Sequence, residues 1–239
     1  MRIVVASIVL LVGCVSRGLA DDMGHHGRFE LRAMVGAILG SSSDDLESAM
    51  RAAGLDGNTC DGTGYPYCSN TDYPIGSAKG AQVQGGISYT FSPTFGVQLL
   101  AVFNDKISAK GYQPVPELIS FSVELHDVAV PVLATLRWEP QGFHLGVGPA
   151  LHFVTVDFLR QAAEQESHRR LGLTGEIGWQ FPLRSRLHLV FVAQGHLAQA
   201  VELGPYPLQS HGGGVQTVWP ETDVSLNHAS LSLGVGFRL

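Results

Sequence analysis

The stretch Asn227–Leu239, NHASLSLGVGFRL, alternates residue by residue between two kinds of side chain. The apolar side chains are Ala229, Leu231, Leu233, Val235, Phe237 and Leu239. The intervening residues are small, polar or charged, from His228 to Arg238. A period of two residues predicts a β-strand. An uncharged apolar face opposite a small polar face is typical of a strand that crosses a membrane within a barrel.

Seven further segments repeat this alternation, which predicts eight strands in all. They are Phe29–Gly40, Ala81–Phe91, Thr94–Asn104, Glu124–Trp138, Gly142–Val154, Leu171–Phe181 and Arg186–Ala200. We expect no charged side chain on the apolar face of any strand, because a cation near mid-bilayer costs roughly 2–4 kcal/mol there. Pro131 and Pro149 fall inside two of the strands and predict bulges or bends, since proline cannot donate to a ladder.

The connections between these strands are alternately short and long. The short ones are Ser92-Pro93, 139–141 and Pro182–Ser185, and the long ones are Ser41–Gly80, Asp105–Val123, Thr155–Arg170 and Val201–Leu226. Outer-membrane barrels have short periplasmic turns and long outer loops, and an even strand number places both termini in the periplasm. The sequence therefore predicts an all-β fold: an eight-stranded antiparallel up-and-down transmembrane β-barrel with short periplasmic turns and long extracellular loops.

Aromatic side chains gather beside the termini and the short turns. The predicted girdle consists of Tyr89, Phe91, Phe95, Trp138, Phe143, Trp179, Phe181 and Phe237. In a folded barrel they form one ring at the periplasmic interface, where aromatic rings are enriched. Core aromatics of a soluble sandwich would not gather at one end of every strand. A soluble lipocalin-like barrel would need apolar side chains in its lumen, which is the reverse of this pattern.

The N-terminus predicts export. Arg2, the apolar run Ile3–Val12 and small residues before a cut after Ala20 are typical of a secretory signal peptide (residues 1–20). The run is too short for a membrane-spanning helix, which needs roughly 20 residues. Residues 21–239 then form one barrel domain. Lipoprotein cleavage at Cys14 is the alternative, since Leu11–Cys14 resembles a lipobox.

Three short motifs carry a family resemblance. Val128–Leu133 (VAVPVL), Gly146–Ala150 (GVGPA) and Leu233–Phe237 (LGVGF) resemble the motifs of small outer-membrane β-barrel domain proteins, the class of OmpA-, OmpX- and PorT-like barrels. The resemblance implies the outer membrane of a Gram-negative bacterium, surrounding membrane lipid, and periplasmic chaperones and barrel-assembly machinery as partners during biogenesis. One departure is that Leu239, rather than an aromatic residue, is last.

The inward faces hold charges and imidazoles. They are Glu30, Arg32, Arg137, Glu176 and Arg238, with His144, His152, His188, His196 and His228. An eight-stranded barrel is just wide enough for side chains to fill it, which predicts a packed network of ion pairs and hydrogen bonds. A gated or proton-conducting pore is the alternative. Histidines eight residues apart on one strand lie roughly 25 Å apart, so we predict neither a metal site nor a cofactor.

Loop one, the first long connection (Ser41–Gly80), has features of its own. Asp44–Leu55 predicts a short helix whose apolar stripe (Leu46, Met50, Ala53) packs on the barrel rim, or contacts lipid or a partner. Cys60 and Cys68 predict a disulfide in an exported chain, with two free thiols as the alternative.

The sequence contains no nucleic-acid or catalytic signature. A net charge of −6 without a basic patch argues against nucleic acid as a partner. Acyl-transfer candidates are loose: Ser210-His211, and His168 near Glu164 and Glu166. We therefore predict a monomer without enzymatic activity that acts structurally or binds a surface ligand, as in adhesion, through its loops. A narrow channel and a lipid-modifying enzyme are the alternatives.

Overall fold

The structure is a computed structural model that describes residues 28–39, 43–53, 76–78, 80–113, 119–138, 142–159, 166–209 and 215–239. Its elements are β1 (Arg28–Leu39), α1 (Ser43–Ala52), β2 (Gly76–Ala78), β3 (Ala81–Thr90), β4 (Phe95–Gln113), β5 (Ile119–Trp138), β6 (Phe143–Leu159), β7 (Glu166–Pro182), β8 (Leu187–Ala198), β9 (Val201–Leu203), β10 (Tyr206–Gln209), β11 (Val215–Trp219), β12 (Thr222–Val224) and β13 (His228–Arg238). The predicted signal peptide (residues 1–20), the alternative cleavage at Cys14 and the cysteines Cys60 and Cys68 lie outside the described residues.

Eight long strands close into a barrel. Each pairs with its neighbours antiparallel in the order β1-β3-β4-β5-β6-β7-β8-β13, and β13 returns to β1. The closing pair sets Glu30 opposite Arg238 and Leu39 opposite Ala229. Closure leaves no open edge in the barrel wall. The backbone N–H and C=O groups of an open edge would find no hydrogen-bond partner in the bilayer. The predicted fold class is confirmed.

The strand faces show which side meets lipid. On β7, Leu171 and Ile177 point outward and are 63% and 44% exposed, whereas the intervening Glu176 is 3% exposed. A soluble sheet would bury the apolar face instead. No described helix is both long and apolar enough to cross a membrane.

Four strands extend further than the sequence predicts. β4 ends at Gln113 and β5 begins at Ile119, and β6 ends at Leu159 and β7 begins at Glu166. The prediction of loops over Asp105–Val123 and Thr155–Arg170 was therefore wrong for most of their length. On β5 and β6 pairing continues because inward side chains there bury an apolar core above the membrane. These side chains are Val123, Leu125, Val154, Val156 and Phe158.

The expectation of bulges at the two prolines needs correction. The register is the same at Pro131, paired with Ala150, and at Ala134, paired with Val147. The prolines therefore mark no bulge. The register shifts instead on β4, between Asn104 and Ile107.

The apolar face is also not free of charge at its outermost end. Glu124 shares the outward face with His126 and Asp157, beyond the apolar band that faces lipid, where water surrounds the wall.

The predicted girdle residues lie at the short-turn end of the barrel. Phe143 bridges Trp138 and Trp179, with ring centroids 5.3 Å and 5.1 Å apart. Phe29 and Tyr89 continue the ring at 4.8 Å. Phe91, Phe95, Phe181 and Phe237 are outward and between 41% and 53% exposed. This end is the periplasmic one by the turn-length rule.

Inward glycines let large side chains meet across the narrow lumen. Gly236 lies between His188 and Arg32 in the ladder, and a Cβ there would overlap the His188 ring. Gly178 pairs with His144, and a Cβ there would overlap that ring. The absence of a side chain at these positions is therefore a packing requirement.

Two glycines on β7 test this requirement. We expect Gly178→Ala to lower the free energy of unfolding by about 1–3 kcal/mol, because the new methyl group overpacks against His144. Gly175 faces outward with nothing within 4 Å of a built Cβ, so Gly175→Ala should change it by less than about 0.5 kcal/mol. Urea unfolding in lipid vesicles measures both, and equal effects would refute the packing account.

Candidate functional site

The periplasmic half of the lumen contains a network that we call the lower polar layer. Its members are Glu30, Arg32, Gln98, Arg137, His144, Glu176, Gln180, His188 and Gln194. They come from β1, β4, β5, β6, β7 and β8, because each of these strands turns its polar face inward. The structure thus brings together six of the ten inward residues that were predicted from the sequence. Arg238 lies at the rim beside them, and His152, His196 and His228 lie in a second network.

Arg32 is the centre of the layer. Its Nε donates to Glu30 Oε1 at 2.6 Å, and its Nη1 donates to Gln98 Oε1 at 3.0 Å and to Glu176 Oε1 at 3.4 Å. The Arg32 and Glu176 side chains are 1% and 0% exposed. A charge buried this deeply must be paired, since an isolated one costs several kcal/mol.

The two carboxylates are shared with other donors. His144 Nε2 lies 2.9 Å from Glu176 Oε1 and 3.3 Å from Arg32 Nη1, between a carboxylate that only accepts and a guanidinium that only donates. Arg137 Nη1 donates to Glu30 Oε2 at 3.5 Å, and His188 Nε2 lies 3.1 Å from Glu30 Oε1. Every strand of this half except β3 and β13 is therefore tied to Glu30, Arg32 or Glu176.

Two small apolar clusters interrupt the polar lining of the lumen. One consists of Leu100, Val102, Ala129 and Leu133 on β4 and β5, and the other of Met34, Val190 and Val192 on β1 and β8. All seven side chains are at most 2% exposed. The buried Gln84 of β3 pairs with both Met34 and Val102, so polar side chains continue between the two clusters.

A second network, the upper polar layer, lies in the outer half of the lumen. Ser232 Oγ donates to Gln82, Gln82 Nε2 to Asn104, and Asn104 Nδ2 to Asp127, at 3.2, 3.2 and 2.9 Å. Ser232 and Gln82 meet over Gly36 of β1, which pairs with both. His152 Nδ1 donates to the same Asp127 carboxylate at 3.1 Å.

Three histidines complete the upper polar layer. His196 stacks on His228 with ring centroids 4.5 Å apart, and His152 meets His196 edge-on at 6.0 Å. Their Nδ1 atoms bond to Asp127, to the Thr174 hydroxyl and, for His228, to a backbone carbonyl. Their Nε2 atoms have no hydrogen-bond partner among the described residues.

The histidine cluster does not form a metal centre. Within the described ranges, no three His, Cys, Asp or Glu side chains are arranged to hold a metal ion. The expected lack of a metal and of a cofactor stays a prediction.

Helix α1 closes the outer mouth of the barrel. Its Leu46 and Met50 are fully buried, and Ala53 just after it is 7% exposed. They share an apolar core, which we call the extracellular cap, with side chains of the extended strands and of loop four, the last long connection (Val201–Leu226). Those are Val123, Leu125, Val154, Val156, Phe158, Val201, Leu203, Trp219, Val224 and Leu226. The apolar stripe of the predicted helix is therefore buried against the barrel.

The outer rim contains the imidazole that sequence reasoning raised for acyl transfer. His168 Nε2 lies 3.3 Å from Glu166 Oε2, to which Tyr206 Oη donates at 2.6 Å. Burial, together with this hydrogen bond, raises the pKa of Tyr206, which stays protonated and donating at neutral pH. Ser210, His211 and Glu164 lie outside the described residues.

Sequence reasoning missed the extracellular cap and the histidine contacts. The signal for the cap was present, because the alternation of β5 and β6 continues outward through Val123, Leu125, Val154 and Val156. The contact between His196 and His228 depends on strand register, which one sequence does not reveal.

Comparison with known proteins adds to this geometry. No protein-family model and no curated protein matches the sequence. The structure is similar to the outer membrane protein OprG from Pseudomonas aeruginosa, with a TM-score of 0.50 and 13% identity over 90% of this chain and 98% of that one. It is also similar to Ail of Yersinia pestis, solved with the heparin analogue sucrose octasulfate (TM-score 0.38, 12% identity, 91% of this chain, 100% of that one).

A third similar structure is AlkL, solved by solid-state NMR in DMPC bilayers, with a TM-score of 0.36 and 14% identity over 92% of this chain and 94% of that one. At these identities the likeness concerns the fold alone. That fold is the small outer-membrane barrel, so the predicted resemblance is confirmed. Together with the apolar outward face, it confirms the predicted setting in a Gram-negative outer membrane.

Glu176→Gln tests the lower polar layer. The substitution keeps the shape but removes the charge that Arg32 and His144 contact. We expect the free energy of unfolding to fall by about 2–4 kcal/mol, somewhat less than for an isolated buried pair because Glu30 still balances Arg32.

Glu166→Gln is the matched control, since that side chain is 33% exposed at the outer rim and should cost less than about 1 kcal/mol. Urea titration of tryptophan fluorescence in vesicles measures both variants. A smaller loss for Glu176→Gln than for the control would show that the network does not stabilise the barrel.

Proposed function

We propose that this protein is a closed outer-membrane barrel without enzymatic activity, which presents its extracellular loops to a cationic partner. The observation that carries the proposal is the buried apolar face of α1, which fills the outer mouth and leaves the loop surface as the part that a partner can reach.

The filled lumen argues against the alternative of a narrow channel. An ion crossing it would have to pass the lower polar layer, the upper polar layer and the extracellular cap. The side chains along this path are tightly buried, with Arg32, Gln84 and His152 at most 4% exposed. Eight strands give an interior that side chains can fill completely, which supports a structural and presenting role.

The arrangement of hydroxyls and imidazoles argues against an acyl-transfer enzyme. Such an enzyme needs a nucleophile beside a base where lipid can reach it. In the part of the chain that the structure describes, the one hydroxyl bonded to an imidazole is Thr174 with His196. Both are at most 1% exposed inside the lumen, so lipid has no access to them.

The charge of the outer surface supports a cationic partner. Among the outer residues whose side chains the structure describes, the acidic ones are Asp45, Glu124, Asp157, Glu166, Glu202, Glu221 and Asp223, and the basic ones are Arg51, Arg169 and Arg170. Glu202 and Asp223 are direct cross-strand partners on β9 and β12, and both are exposed. Like charges directly opposite are destabilising unless a counter-charge binds there. Complementary charge also speeds encounter with such a partner.

Binding to immobilised polymers of different charge tests the proposal. Proteoliposomes that carry the protein are passed over decalysine, which is cationic, heparin, which is anionic, and dextran, which is neutral. We expect binding to decalysine that weakens with added salt, because exposed charges are screened within about 10 Å at 0.1 M. Glu202→Gln with Asp223→Asn should weaken this binding several-fold.

The matched control removes two acids from the outer wall instead, as Glu124→Gln with Asp157→Asn, and should retain most of the binding. Stronger binding to heparin than to decalysine would contradict the proposal. An equal loss in the two double variants would also contradict it.

A further inference from the structure

The short-turn end of the barrel contains a cavity of about 330 Å³ with a cationic lining. Arg137, Arg184 and Arg238 line it, together with His144 and His188. Among the described residues, no aspartate or glutamate lines this cavity. Its volume lies within the range of about 300–1,000 Å³ that is usual for small-ligand sites.

The guanidinium groups of this half exceed the carboxylates that could balance them. Arg32 and Arg137 both pair with Glu30, and Arg32 also pairs with Glu176. Arg238 lies at the rim and makes no ion pair within the ranges that the structure describes. Arg32, Arg137 and Arg238 therefore carry three positive charges against the two negative charges of the glutamates. The unbalanced positive charge lies beside the cavity.

Three nitrogen atoms of the cavity wall are buried and lack a hydrogen-bond partner in the described part of the chain. One is Arg137 Nε, on a side chain that is 10% exposed, and it can only donate. The second is His144 Nδ1, on a side chain that is 1% exposed, which either donates or accepts according to the tautomer of the ring. The third is His188 Nε2, whose contact with Glu30 Oε1 at 3.1 Å is an ion-pair contact only.

We propose that this cavity binds a phosphate group, with Arg184 and Arg238 as its principal ligands. A phosphate offers several acceptor oxygens in a geometry that planar guanidinium groups match, with the shorter and stronger hydrogen bonds of charged pairs. Arg137 Nε supplies a further donor, and His144 Nδ1 either donates to a phosphate oxygen or accepts from a hydroxyl of the ligand, such as that of hydrogen phosphate or glycerol.

The surroundings of the cavity allow two sources of the phosphate. Trp138, Phe143 and Phe181 of the girdle also line the cavity, so it opens at the level where interfacial aromatics meet lipid headgroups. A phospholipid of the periplasmic leaflet could supply the group laterally, and free phosphate could enter from the periplasm. Both sources present the same chemistry to the same arginines.

Calorimetry on the folded full chain in dodecyl maltoside, a detergent without phosphate, tests the proposal. One arm titrates inorganic phosphate, and the other titrates short-chain dihexanoyl phosphatidylglycerol. We expect saturable binding in at least one arm, and about tenfold or greater weakening in Arg184→Gln with Arg238→Gln, because each lost charged hydrogen bond is worth about a factor of ten.

The outcomes separate the sources and can overturn the site. Binding of phosphate in the first arm supports a free anion, and binding in the lipid arm alone supports a headgroup. Binding in neither arm overturns the proposal. So does a loss of the same size in Arg169→Gln, an exposed arginine at the opposite end. Arg184 is exposed in a turn, so Arg184→Gln alone keeps the test valid should the double variant fail to fold.

Discussion

The width of an eight-stranded barrel is the constraint on which the rest of this structure depends. Strand number sets the diameter, and eight strands leave an interior that side chains must fill. The inward face of a membrane barrel is polar, so filling it favours donors and acceptors that find partners across the lumen. Arg32, Glu30 and Glu176 meet much of this demand in the lower polar layer, and Asp127 and its partners meet much of it in the upper one. Arg32 Nη2 and the Nε2 atoms of the three upper-layer histidines stay without a partner among the described residues. The inward glycines follow from the same constraint, because large rings can lie over a strand only where that strand has no side chain.

The extracellular cap follows a different rule. Beyond the membrane both faces of the wall are exposed to water, so the inward face can be apolar if something covers it. Helix α1 and loop four provide the cover, with Leu46 and Trp219 among the most deeply buried side chains. The extension of β5 and β6 and the burial of α1 are therefore one feature. The strands project outward because their inward apolar residues have a core to join.

Much of this could be predicted from residue patterns. Alternation located all eight strands, and the aromatic residues identified the periplasmic end, because each lipid-exposed strand meets the same bilayer at the same depths. The inward parity of Glu30, Arg32 and Glu176 predicted which side chains fill the lumen. What could not be predicted depends on register and on long-range packing. The contact of His196 with His228 and the bridge from Ser232 to Gln82 over Gly36 need the relative shift of strands distant in sequence. The strand ends were misplaced because the apolar cap that sustains pairing is assembled from several loops.

The central claim is that the lumen is filled and that its charges are held away from water. Hydrogen exchange of the Arg32 side chain measures this most directly, because its Nε–H donates to Glu30 at 2.6 Å and the side chain is 1% exposed. In an NMR spectrum of the labelled chain in nanodiscs, assigned with an Arg32→Lys variant, the Arg32 Nε–H signal should persist for hours after transfer to D2O. The signals of the exposed Arg184 and Arg186 should vanish at once. Loss of the Arg32 signal as fast as theirs would mean that water reaches the centre of the barrel, and would contradict the account.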